Sequence, residues 1–266
     1  MRSLRSLAVL LVCAAWFGAC APDGQAEPPS PLTTQTAGVA NPAARHRLFY
    51  IGLALFPEQW SRNDVVDLAD TLRSNSAFDV VPLIASNYLG DEERQYPLAD
   101  DAAIARLVRT AAERASPDDL VFVHISTHGG PGVLARQIEG GPESNIGEFR
   151  LWQLLAPLGR HRTIIVVSAC YSGSLIASLN SADRIIMTAA RADRSSFGCA
   201  AASRHTFFGD AELRGFGMRG RSLHQAFIVI SDEVAAMEQA QHFGPPSRPQ
   251  ISVGAGVREL YESPLF

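Results

Sequence analysis

The sequence contains no lysine; all 23 of its basic residues are arginines. Without a lysine amine the chain cannot form a Schiff base with a carbonyl substrate or with pyridoxal phosphate. Nor can it build a phosphate loop of the kind whose lysine reaches the phosphates. Surplus positive charge is missing as well. The 27 acidic residues leave a formal net charge of −4, so there is no basic footprint for nucleic acid. The most apolar stretch, "LAVLLVCAAWFGA" at 7–19, falls short of the roughly 20 residues needed to cross a bilayer. Cysteine is scarce: Cys13, Cys20, Cys170 and Cys199 are the four. What remains is an ordinary globular profile, 47% hydrophobic and 19% charged over 266 residues, enough for one substantial core.

The N-terminus reads as a targeting segment. Arg2 and Arg5 precede the apolar run, the pattern of a signal peptide over residues 1–20. "FGAC" (17–20) resembles a bacterial lipobox, which predicts lipidation of Cys20 and a membrane anchor. Cleavage after Ala21, within "ACA", is the competing reading. Both predict export, and the first a lipoprotein facing the periplasm or the cell exterior. Residues 21–45 are rich in Pro, Ala, Thr and Gly and poor in large apolar side chains, so a flexible tether is expected there. Residues 46–266 then form one domain. Cys13 leaves with the signal and Cys20 is lipidated or removed. Cys170 and Cys199 remain, able in principle to pair in an exported protein but expected to be free.

From residue 47 the pattern alternates. Strands are expected at 47–55, 78–85, 119–127, 163–169, 184–190 and 249–254. Pro82 points to an edge position or an early end for the second of them. Helices are expected at 61–72, 100–115, 146–158 and 221–240. Ser61 with Asp64, and Ser222 with Gln225, have the spacing of a capping box. Strands buried on both faces and alternating with helices imply an α/β fold with a mainly parallel sheet covered on both sides. Such sheets bind ligands beyond the carboxyl ends of their strands.

Two polar clusters occupy such ends: "HISTHGG" (124–130) and "SACYSGS" (168–174). Cys170 is either a small core filler or a nucleophile. In the second case its sulfur faces the start of a short helix, "SGSLIASL". A neighbouring imidazole would serve it as general base and acid. The H-x-x-x-H spacing of His124 and His128 lacks the glutamate and the helix of a zinc site, so no metal is expected, and His124 reads as a histidine satisfied within the sheet. Cys199 reads as a small packing residue. His46, His161, His205, His224 and His242 show no partner in the sequence.

These segments, followed by "TAARADRSSFGC" (188–199) and "TFFGDA" (206–211), resemble the legumain family of cysteine peptidases in the caspase-like clan. The resemblance covers most of residues 47–255. It implies a caspase-like α/β/α sandwich with about six central strands and no cofactor, and a peptide or protein substrate. It implies a dyad of His128 and Cys170, with the backbone of Gly129 and Cys170 receiving an oxyanion. It places the substrate pocket's arginine on Arg62, its serines on Ser195 and Ser196, and its aspartate on Asp210. Ser168 stands where the family has an acidic residue, and Asn63 where it has a histidine. The asparagine that orients the family's histidine has no counterpart; its position falls near Phe56. No C-terminal prodomain is expected. The implied reaction is endopeptidase cleavage through an acyl-enzyme after Asn, with Asp tolerated. A transpeptidase on the same site, a cysteine α/β-hydrolase and an inactive surface binding module are the alternatives. The oligomeric state is left open.

Overall fold

The computed structural model describes residues 46–90, 95–138 and 141–266, all within the unit spanning 43–266. The expected signal peptide, Cys20 and the tether lie outside the described residues. In chain order the elements are β1 (Arg47–Ala54), α1 (Gln59–Asn75), β2 (Asp79–Ser86), α2 (Asp101–Arg114) and β3 (Leu120–Ser126). A small hairpin sheet follows, β4 (Gly129–Gly130), β5 (Val133–Gln137) and β6 (Glu143–Gly147), and then α3 (Glu148–Leu155) and β7 (Thr163–Ser168). The remainder is α4 (Ile176–Leu179), β8 (Arg184–Thr188), α5 (Phe207–Phe216), α6 (Leu223–Ala240), β9 (Gln250–Val253) and α7 (Arg258–Glu262).

Six strands form the central sheet in the order β2-β1-β3-β7-β8-β9. All neighbours pair in parallel except β8 and β9. The continuous apolar runs of β3 and β7 are fully buried because both faces of the sheet are covered. Alternate residues serve two cores. Tyr50, Phe122 and Val166 pack with α1, α5 and α6. Phe49, Val123 and Val167 pack with α2, α3 and α4. The result is an α/β/α sandwich. Pro82 does sit on an edge strand, where its missing N–H costs the ladder nothing. No helix among the described residues is long and apolar enough to cross a membrane.

Two local expectations are corrected. Helix α1 starts at Gln59 with Glu58 as its cap residue, so Ser61 and Asp64 form no capping box. The Ser61 hydroxyl donates instead to the Ser126 carbonyl at 2.6 Å. The box at Ser222 and Gln225 is formed. The helix expected at 146–158 is shorter, because residues 143–147 pair as β6 and residues 156–158 turn as a 3-10 helix.

Candidate active site

The two polar clusters lie side by side. Ser126 of β3 and Ser168 of β7 are cross-strand partners, and the Thr127 N–H donates to the Ser168 carbonyl at 3.0 Å. His128 and Cys170 each lie two residues beyond one of these serines. Gly129 presses against the second cluster: a Cβ there would lie 2.5 Å from the Cys170 carbonyl oxygen. That close approach requires glycine.

The His128 ring is held by aromatic edges, not by an amide. Phe56 meets it at a centroid distance of 4.5 Å and Trp60 at 5.1 Å, both nearly perpendicular. Phe56 thus occupies the setting where the resemblance lacks its asparagine. The His128 carbonyl accepts from Ala135 N–H at 2.9 Å, which ties the residue to β5. Burial pushes the imidazole's pKa below its ordinary value, against the opposing charges of Glu58 and Glu143. A ring so placed is neutral near pH 7 and able to accept a proton.

Cys170 is a free thiol, as is Cys199. The Ser196 N–H donates to its sulfur at 3.3 Å; the Ser196 carbonyl and hydroxyl oxygens lie 3.4 and 3.6 Å from it. The donor aimed at the sulfur therefore comes from the loop after β8. The expected helix at 172–179 is a 3-10 turn over Ser172–Leu175 and the four-residue α4, too short to build a dipole of consequence. Tyr171, in the left-handed region with φ of 57°, fixes the turn by donating its N–H to the Arg194 carbonyl at 2.7 Å. Burial raises the pKa of Cys199, with a smaller contribution from the Cys170 charge.

The pocket residues do not share one setting. Ser196 touches the sulfur and Ser195 precedes it, both half-buried. Asp210 is half-buried in the first turn of α5. Ser168 is buried, its hydroxyl 3.0 Å from that of Thr206, so it lies under the site and does not open onto it. The Arg62 guanidinium reaches Gln95 at 3.2 Å and Asn63 at 3.4 Å. It lines a groove with Pro82, Ile84 and Tyr96, a groove that contains none of His128, Cys170, Ser195, Ser196 or Asp210. The Asn63 amide donates to the Arg204 carbonyl at 3.0 Å.

His124 is buried in the core and only its Nδ1 is hydrogen-bonded, so the expectation of a fully satisfied histidine is met at one ring nitrogen and not at the other. Tyr50 donates its hydroxyl to the Val65 carbonyl at 2.7 Å, so its oxygen receives the proton of His124 Nδ1 at 2.8 Å. Nε2 faces the buried Glu212 carboxylate at 3.2 Å.

Sequence reasoning missed His205. Its Nδ1 lies 3.2 Å from Asp64 and its Nε2 3.2 Å from Asp67. Nothing local signals this, since Asp64 is 141 positions away.

Two adjacent parallel strands bring a histidine and a cysteine to one end of an α/β/α sandwich, and solved structures show that the sandwich is a caspase-like fold. Caspase-1 from Spodoptera frugiperda superposes with a TM-score of 0.51 at 16% identity, covering 78% of this chain and 85% of its own. The structure described as pro-sf-caspase-1 superposes with a TM-score of 0.52 at 14% identity, covering 79% and 92%. No curated protein sequence matches the chain significantly. The Peptidase C13 family, however, matches over residues 103–257, more than half of the chain, and the chain belongs to that family. The matched span includes His128, Cys170, Ser195, Ser196 and Asp210 and leaves out Arg62.

Proposed function

We propose that this chain is a cysteine endopeptidase that works through His128 and Cys170. One observation carries the reading: the two side chains follow directly paired positions on adjacent parallel strands, with Gly129 packed against Cys170. The Cys170 sulfur attacks the scissile carbonyl as its proton passes to His128. The C–N bond breaks and His128 returns the proton to the leaving amine. His128 then takes a proton from water, whose oxygen attacks the thioester; the C–S bond breaks and His128 returns that proton to the Cys170 sulfur. Backbone N–H groups of Gly129 and Cys170 would receive the oxyanion, a contribution of about 100- to 1000-fold per donor.

The proposed P1 residue is Asn. Its amide offers one acceptor and two donor hydrogens. Asp210 would accept from the nitrogen, Ser195 and Ser196 would form the wall, and Arg62 would donate to the oxygen after its guanidinium leaves Gln95. With Ser168 in place of a carboxylate the site is less negative, so P1 Asp is tolerated, more so at acid pH where its carboxyl is protonated and can donate to Asp210. Mass spectrometry of a peptide library tests all of this. Cleavage after Asn is expected for the wild type and none for Cys170→Ala. Equal cleavage after Arg or Phe overturns the P1 assignment, and identical digests from both proteins overturn the peptidase. The reading includes export with a lipid on Cys20. Metabolic labelling with a fatty-acid analogue is expected to mark the wild type and not Cys20→Ser.

A further inference from the structure

A buried carboxylate lies beneath both strand ends that carry the dyad. Asp64 Oδ2 accepts from the hydroxyls of Ser126 and Thr206, each at 2.8 Å, and Oδ1 accepts from the Thr206 N–H at 3.2 Å. Because the single Thr206 hydroxyl proton goes to Asp64, that oxygen is an acceptor for its other neighbours, Gly209 N–H at 2.8 Å and the Ser168 hydroxyl at 3.0 Å. Asp64 is therefore linked, directly or through one hydroxyl, to the residues two places before His128 and before Cys170. Helix α5 is seated on it, for a Cβ on Gly209 would overlap the carboxylate.

His205 closes this network at the end of the loop that carries Ser196. Its Nδ1 faces Asp64 and its Nε2 faces Asp67, both at 3.2 Å. Arg204 Nε also lies 3.2 Å from Nε2, while Arg204 Nη2 donates to Asp67 at 3.1 Å. Nε2 cannot serve both neighbours in one state. Protonated, it donates to Asp67; deprotonated, it accepts from Arg204. The other charges facing His205 are Asp210 and Glu212 of α5, and Glu212 is itself paired with His124 of β3.

We propose that Asp64 and His205 are positioning residues for the reaction at Cys170: as carboxylate and imidazolium they lock the loop 189–205 onto the catalytic strand ends, and loss of the Nε2 proton opens the lock. The effect on turnover rests on the peptidase reading; the lock itself does not. Burial alone would lower the pKa of His205, but the hydrogen bond to Asp64 and the charges of Asp64, Asp210 and Asp67 outweigh it and raise it. A raised value means the lock is whole below about pH 6.5 and is lost as the pH climbs through the raised value.

Hydrogen exchange at the amides of Thr206 and Phe207 reads the lock, because the first donates to Asp64 and the second to the Phe197 carbonyl at 3.1 Å. In the full chain, corrected for intrinsic exchange, their protection is expected to fall about tenfold from pH 6 to pH 9 while that of Val123 in β3 holds. His205→Gln should show the lower protection at every pH. Asp67→Asn, with one attracting charge removed, should move the fall to lower pH by about one unit. Superimposed profiles for wild type and His205→Gln overturn the lock, as does a flat wild-type profile. If His205→Gln does not fold, Asp67→Asn decides alone, and an unshifted fall overturns the proposal. A chain that shows the fall but cleaves no peptide refutes the peptidase and leaves the lock standing. A peptidase whose kcat/KM varies with pH identically in both variants and wild type has no positioning role for His205.

Discussion

His128 takes its orientation from the edges of Phe56 and Trp60 rather than from a polar partner. Ring carbon that desolvates an imidazole lowers its pKa, so removing it should do the reverse. Phe56→Ala is expected to raise the His128 pKa toward the ordinary 6.5 or so, read from the titration of its ring protons by NMR, with Trp60→Phe perturbing it less. At this scale the sequence was half legible. His128 and Cys170 announce themselves because each sits in a polar cluster at the end of an apolar run. His205 does not, because its meaning lies in Asp64 and Asp67 on a helix laid down far earlier in the chain. Arg62 is the converse case. Aligned by motif it belongs to a substrate pocket, yet the side chain extends to Gln95 beside the edge strand β2.

Among the elements, β4 is the smallest and the most constrained. Its two glycines are not equivalent: a Cβ on Gly129 would meet the Cys170 carbonyl at 2.5 Å, whereas on Gly130 the nearest atom is a Val133 methyl at 3.4 Å. Gly129→Ala should therefore push the His128 turn away from the sulfur. A displacement on the scale of an ångström costs about 100-fold in kcat/KM, and Gly130→Ala should stay near wild type in the same assay. The large elements could be read from periodicity, since β3 and β7 are uninterrupted Val/Ile/Phe runs and α2 repeats its apolar face every three to four residues. The hairpin β4–β6 could not. Its segment is rich in glycine and polar residues, and only pairing across its own turns makes it a sheet. Helix α5 is hard to read from periodicity because its run, Phe207–Phe216, holds two glycines, one of them pressed against Asp64.

For the molecule as a whole, the far end of the sheet is fastened by Asp119. Its carboxylate accepts from the Arg47 backbone at 2.7 Å, the Arg47 guanidinium at 2.7 Å and the Ser116 N–H at 2.8 Å, and Arg47 reaches on to the Arg114 carbonyl at 2.8 Å. Burial alone would raise the Asp119 pKa, yet these bonds hold it well below the carboxylate range. A depressed value stabilises the fold above the unfolded pKa of about 3.9 and is lost as the pH falls toward the folded one. The Tm difference between wild type and Asp119→Asn should accordingly be widest between pH 5 and 7 and close progressively in stronger acid. The family match does not span the whole sandwich: it begins at residue 103, while β1 and β2, with α1 packed on them, complete one side of the sheet without it. The register of β3 against β7 has a last consequence. Ser126 and Ser168 are the last pair of the ladder between the two central strands, so the turns that carry imidazole and sulfur leave the sheet from one fixed origin. Whatever shifts imidazole against sulfur must act on the turns and loops around that origin, as a hand shifts the jaw of a vice and not its bed.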